Sequence, residues 1–219
     1  MNKKVAVIHT SFVSVNDLKD LFKEIIPSVI MINIVDDSLL AEVLEKGGLT
    51  NNITRRICAY AIEAQAMGVD AILNQCSSVG EAVDTVRKML NVPYIKVDEP
   101  MAEEAVKIGG NISVIATVPT TLAPSIRLIE NTAVDMNKKV NIKRCLVEGA
   151  FDALVKEGDK DKHNTMVLKT IKEEAEKADA IVLAQGSMIC LLPQLADIKV
   201  PVLSSPRSGV MGVKRILNI

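Results

Sequence analysis

The most chemically suggestive feature of this 219-residue sequence is one thiol among polar side chains, Cys76 in Asn74-Gln75-Cys76-Ser77-Ser78. A short apolar run, residues 71–73, leads into it, and a helical pattern follows over about residues 79–90. Strand, polar turn and helix make one α/β unit, and ligands of parallel sheets bind off the carboxyl ends of strands. A thiol in that position can serve as acid or base, and a helix N-terminus beside it favours its anion. The bland alternative is a small buried core thiol. The polar neighbours favour chemistry. Cys58, Cys145 and Cys190 lack such surroundings and read as structural, Cys190 packed among Ile189, Leu191 and Leu192. No CxxC pair or metal-ligand spacing occurs, so the four cysteines read as free thiols of a cytoplasmic chain rather than a disulfide framework or zinc site.

The elements that must position Cys76 follow from hydrophobic periodicity. Strands are predicted over residues 3–10, 29–35, 71–73, 92–97, 112–116, 140–147, 179–184 and 200–203. Helices are predicted between them, including 17–26, 39–46, 51–67, 101–108, 161–178 and a last segment at 206–217. The pattern restarts halfway. Asp70-Ala71-Ile72 matches Asp179-Ala180-Ile181 at an offset of 109, and Val92-Pro93 matches Val200-Pro201 at 108. Residues 3–8 align with 111–116 at 108, and Val43-Leu44 with Leu154-Val155 at 111. The chain therefore reads as two similar flavodoxin-like α/β halves with parallel sheets, residues 1–100 with 206–219 and residues 101–205. A pseudo-twofold between them would place an active site in a cleft lined by strand ends.

The repeat turns isolated polar residues into paired ones. At the 109 offset Cys76 pairs with Gln185, and at 111 Asp37 pairs with Glu148. Ser11 ends the first strand of one half, and Thr117, Thr120 and Thr121 end that of the other. Asn74, Ser77 and Ser78 pair with the stretch containing Gly186 and Ser187. The threonines could simply cap the next helix. Equally, that helix end and those after Ser78 and Ser187 suit a carboxylate. Asp37 and Glu148 are possible selectors of an ammonium or hydroxyl group, against the ordinary reading of solvated loop acids. His9 is a weaker candidate at a strand end, and His163 reads as structural at a solvated helix start.

The sequence resembles the aspartate/glutamate/hydantoin racemase superfamily over essentially its whole length. The residues that carry the resemblance are Asn74-Gln75-Cys76-Ser77-Ser78, Ala116-Thr117-Val118-Pro119-Thr120-Thr121 and Leu183-Ala184-Gln185-Gly186-Ser187-Met188. The resemblance implies a cofactor-independent homodimer in which two thiols, one per half, act on the carbon next to a substrate carboxylate. Here the second thiol position holds Gln185, which can donate and accept hydrogen bonds but cannot exchange protons at ordinary pH. Cys76 is then the acid/base thiol of a racemase-like isomerase, and Gln185 stabilises an enolate or oxyanion. Superfamily branches with one cysteine imply the alternative of a decarboxylase or other lyase. A third reading is a non-catalytic binder of small carboxylates.

Composition excludes other classes. A net charge of −1 with 2% aromatic residues leaves neither a basic patch nor stacking platforms for nucleic acid. No apolar run reaches the roughly 18 to 20 residues of a membrane span. Residues 5–8 are too short for the apolar core of a signal peptide. No GxGxxG or P-loop is present, and no cofactor or metal is expected.

Overall fold

The computed structural model describes residues 2–219, with Ser187 described by its backbone alone. Its elements in chain order are β1 (Lys4–His9), α1 (Val15–Ile25), β2 (Ile30–Val35), α2 (Ser38–Lys46), α3 (Asn51–Ala66), β3 (Ala71–Asn74), α4 (Gly80–Val86), β4 (Tyr94–Lys96), α5 (Glu99–Ile108), β5 (Asn111–Ala116), α6 (Pro119–Asp135), β6 (Asn141–Leu146), α7 (Ala150–Val155), α8 (Lys160–Glu174), β7 (Ala180–Leu183), β8 (Val202–Ser204) and α9 (Ser205–Leu217). The chain divides into two compact units, Met1–Pro100 with Pro206–Ile219, and Met101–Ser205. Each holds one four-stranded parallel sheet, ordered β2-β1-β3-β4 in the first and β6-β5-β7-β8 in the second.

Both faces of each sheet are covered, as a parallel sheet requires. In the first unit Ala6, Ile8 and Ile72 face Ile53 and Ile57 of α3 and Val83 of α4. Alternation turns Val5, Val7 and Leu73 to the other face, against Leu18 and Phe22 of α1 and Val210 and Val213 of α9. In the second unit Val114 and Val182 meet Leu122 and Ile129 of α6, while Ile181 and Leu183 meet Val167 and Ile171 of α8. The repeated Asp-Ala-Ile anchors have a physical cause. Asp70 accepts the N–H of Lys4 at 2.8 Å, and Asp179 accepts that of Asn111 at 2.8 Å. Each carboxylate ties the start of a central strand to its neighbour.

The register corrects one offset. Val5 pairs with Ala71 and Ile112 with Ala180, so the first strands match at 112 − 5 = 107 rather than 108. The helix expected over 79–90 is broken into a 3-10 turn at Ser77–Val79, α4, and a second 3-10 turn at Arg87–Met89. Its start tightens because Val79 N–H bonds to the Cys76 carbonyl three residues back, at 3.2 Å. After Gln185 the chain forms a 3-10 segment, Gly186–Leu195, within which Pro193 has no N–H to donate. Cys190 is exposed there, not packed as expected. His163 is buried rather than solvated. Among the described residues no helix is long and apolar enough to cross a membrane.

Helix α9 approaches β4 through Gly209. A Cβ there would lie 2.6 Å from Val97 Cγ2 and 2.7 Å from the Val97 carbonyl oxygen. Backbone cannot yield as a flexible side chain does. Gly209→Ala is therefore expected to destabilise the first unit by about 2 kcal/mol, the usual cost of overpacking. Urea unfolding checks this, and unchanged stability would mean that α9 is loosely seated.

Candidate active site

Cys76 is the extended residue immediately past β3, at the head of the Ser77–Val79 turn. Asn74 is fully buried, and its Nδ2 donates to the Cys76 carbonyl at 2.8 Å, which fixes the turn from inside. Cys76 is half-buried as a residue and packs against the core face carrying α3 and α4. Burial pushes the thiol above its ordinary range, opposed by the hydroxyls of Thr10 and Ser78 and the N–H groups of Ser78 and Val79. The protein thus keeps the thiol protonated at rest while surrounding it with donors suited to its anion. By contrast, Cys145 lies buried in β6 and is pushed up to about 11, chiefly by burial. That leaves it an inert core thiol.

The second unit repeats this backbone with different chemistry. Gln185 is also the extended residue past its strand, and Met188 N–H bonds to its carbonyl at 3.0 Å. The Thr117 N–H donates to Gln185 Oε1 at 2.6 Å, and the Thr117 hydroxyl lies 3.0 Å from the same oxygen. A backbone N–H can only donate, so the amide oxygen must face it. The Gln185 NH₂ is thereby left as a pure donor. Thr10 and Thr117 are equivalent at the 107 offset, one beside the thiol and the other beside the amide.

The threonines do not cap α6. Its N-cap residue is Val118, which makes no side-chain cap, and Pro119 opens the helix. Thr120 Oγ1 is buried without a partner among the described residues, and Thr121 is buried beside it. Ser78 joins Cys76 directly, whereas Ser77 turns to the Asp98 carboxyl. Ser11 and Gly186 are half-buried at their expected strand ends. The side chain of Ser187 lies outside the described residues. Asp37 and Glu148 are exposed. Asp36, beside Asp37, is engaged by Arg56, Tyr60 and Ser38. His9 is fully buried and its Nε2 lies 2.9 Å from Asn33 Oδ1. Thr10 and Asp98 are the additions to the candidates. Among the described residues no group of three or more His, Cys, Asp or Glu could hold a metal ion.

The sequence matches the Asp/Glu/Hydantoin racemase family over residues 3–212. The chain belongs to that family. A glutamate racemase from Sulfurihydrogenibium sp. is 34% identical over 133 residues, which is 56% of this chain and 48% of that protein. The match thus spans about half the length of that relative. Among solved structures, glutamate racemase from Aquifex pyrophilus superposes with a TM-score of 0.70 at 20% identity, covering 97% of this chain and 83% of that one. Allantoin racemase from Pseudomonas fluorescens gives a TM-score of 0.66 at 14% identity, covering 98% and 91%. These likenesses show the shared fold, two parallel four-stranded α/β units.

Proposed function

We propose that this racemase-family chain is a cofactor-independent enzyme acting at the carbon next to a carboxylate of a small amino or hydroxy acid, with Cys76 as its acid/base thiol. The observation that carries this reading is the matched pair of strand-end positions. Both present a threonine to the residue past the strand, but one holds a proton-exchanging thiol and the other an amide locked as a donor. In the base direction the thiolate takes the α-proton: the C–H bond breaks, S–H forms, and the electron pair spreads into the carboxylate as an enediolate. The Gln185 NH₂ donates to that developing charge. Inversion then requires the planar enediolate to turn within the site before the Cys76 thiol returns the proton to its opposite face; return to the same face regenerates the starting enantiomer. Thr117, Thr120, Thr121 and Ser78 are the proposed carboxylate holders.

A second reading is favoured by the same two residues. A thiol held protonated by burial is a ready proton donor, and Gln185 offers no second acid or base. If the substrate carries two carboxylates on one carbon, loss of CO₂ leaves the electron pair on carbon. Cys76 then delivers its proton, S–H breaking as C–H forms. This is the lyase reading.

Chiral separation of products and trapping of released CO₂ distinguish the two, with aspartate, glutamate, 2-hydroxy acids and substituted malonates as substrates. Interconversion of enantiomers supports the isomerase, and CO₂ with one product enantiomer supports the lyase. Ligand-induced thermal stabilisation without turnover of any of them would make the chain a binder and overturn both. The pH dependence also differs in sign. Because burial raises the Cys76 thiol, a base role makes the rate climb with pH beyond the ordinary thiol range near about 8.5. An acid role makes it fall over that window.

A further inference from the structure

The turn after β2 holds both peptide groups that flank Thr10. The Asp36 N–H donates to the His9 carbonyl at 3.1 Å, and the Leu40 N–H donates to the Thr10 carbonyl at 3.3 Å. One side chain sets the shape of that turn. Asp36 Oδ1 accepts from the Ser38 hydroxyl at 2.7 Å and from the Ser38 N–H at 3.3 Å. The Asp36 carbonyl accepts the Leu39 N–H at 3.2 Å. Asp36 Oδ2 accepts from Arg56 and Tyr60, both on α3. Arg56 is held in turn by Glu42 of α2 at 2.8 Å. The Asp36 side chain is only 12% exposed, so these partners rather than bulk water satisfy its carboxylate.

The second unit keeps the backbone of this arrangement and not its carboxylate. The Val147 N–H donates to the Ala116 carbonyl at 2.8 Å, as that of Asp36 does to His9. Aligned on their buried residues, Ile57 with Val167 and Ala61 with Ile171, α3 and α8 match at an offset of 110. Met166 and Thr170 then stand where Arg56 and Tyr60 do. There the threonine is fixed differently, because Gln185 Oε1 takes both the N–H and the hydroxyl of Thr117. A thiol offers no comparable grip, since its sulfur is a weak acceptor. The ionic clamp thus stands in the half whose strand-end residue cannot hold its own threonine.

We propose that Asp36, gripped by Arg56 and Tyr60, is a positioning residue: it pins the peptides on both sides of Thr10 so that the Thr10 hydroxyl stays directed at Cys76. The inference rests on the reading of Cys76 as the acid/base thiol and deepens it by naming what keeps one of its donors in place. Thr10 is buried, and its hydroxyl is one of the groups that favour the Cys76 anion. A donor helps a developing charge most when it is already oriented. Without the clamp Thr10 can turn away, which leaves the thiol harder to ionise. Simple removal of charge has the opposite sign. An Arg56 no longer neutralised by Asp36 would favour a thiolate, and a loosened, wetter thiol would also ionise more easily.

Iodoacetamide alkylation of the full chain, followed at the Cys76 peptide by mass spectrometry across pH, tests this without any substrate. Asp36→Ala is expected to move the midpoint of the rate profile up and to slow alkylation near pH 7.5 by about fivefold. Thr10→Val, which removes only the hydroxyl, should give the same change, and the double variant no further one. The other ionisable groups on the surrounding elements, Cys58 on α3, Glu81 and Asp84 on α4 and Asp98 past β4, stay in place in all three proteins. An unchanged or lower midpoint in folded Asp36→Ala protein would overturn the clamp. So would a Thr10→Val profile like the wild type, or full additivity in the double variant. If Asp36→Ala fails to fold, Tyr60→Phe decides, because it withdraws one bond from the carboxylate. It should slow alkylation by about twofold, and not at all on the Thr10→Val background. An unchanged Tyr60→Phe rate, or equal slowing on both backgrounds, would overturn the clamp. Slowed Asp36→Ala alkylation beside a fully active Cys76→Ser enzyme would keep the clamp and remove the catalytic role of the thiol. The converse result would remove the clamp alone.

Discussion

Cys76→Ser is expected to lower turnover of the carboxylate substrate by about 10³-fold or more while leaving the protein folded. General acid–base transfer by a positioned group contributes typically about 10²–10⁴-fold. A serine hydroxyl offers neither a comparable anion nor a comparable acid, although Thr10, Ser78 and the Val79 amide would still surround it. Gln185, locked onto Thr117, has no proton to exchange in its place. The structural cost should be small, because Cys76 is only partly buried and the Asn74 bond to its carbonyl does not involve the side chain. A loss of about 1 kcal/mol or less is ordinary for such a site. Steady-state kinetics with a parallel thermal melt separates the two effects. Retained activity would take Cys76 out of the reaction.

The second large effect is expected at Gln185. Gln185→Glu preserves an oxygen acceptor for the Thr117 N–H, so the local backbone should stay in place. It replaces the Gln185 NH₂ donor with a carboxylate oxygen, which repels developing negative charge. Removing a single donor from an oxyanion site costs about 10²–10³-fold in kcat, and repulsion adds to that. The loss should therefore fall on kcat by about 10²-fold or more, with little change in unfolding. A change confined to KM would mean that Gln185 only helps to bind the ground state. Gln185→Leu makes a useful contrast. It also removes the acceptor, leaving the buried Thr117 N–H unpaired at a cost of about 1–3 kcal/mol in stability.

The duplicated fold is legible in the sequence because its anchors have local causes. Asp70 and Asp179 each cap a central strand by accepting a backbone N–H, so the same residue recurs before the same apolar run. Cys76 is legible for a similar reason, as a thiol among polar residues at an abrupt strand end. Thr10 and Asp98 are not. They lie 66 and 22 residues from Cys76: Thr10 meets the thiol because β1 adjoins β3, and Asp98 meets Ser77 because β4 adjoins β3. The clue available in advance was alternation: in parallel strands, Thr10 belongs to the same face as Ile8, and Asp98 to that of Lys96. Cys190 misleads because its neighbours are apolar. In a 3-10 segment with three residues per turn, Met188 and Leu191 fall on one buried stripe and residue 190 falls off it. The threonines after β5 read as helix caps by type, yet the cap position falls to Val118.

The central claim, that Cys76 acts on the carbon beside a carboxylate, is tested most directly by a crystal structure of the protein with the acid it turns over. The α-carbon should lie within about 4 Å of Cys76 Sγ, near the separation of reacting atoms in a productive complex. The carboxylate oxygens should accept from the threonine and serine donors described above. A carboxylate bound with its α-carbon remote from Cys76, in an enzyme that still turns over, would contradict the account.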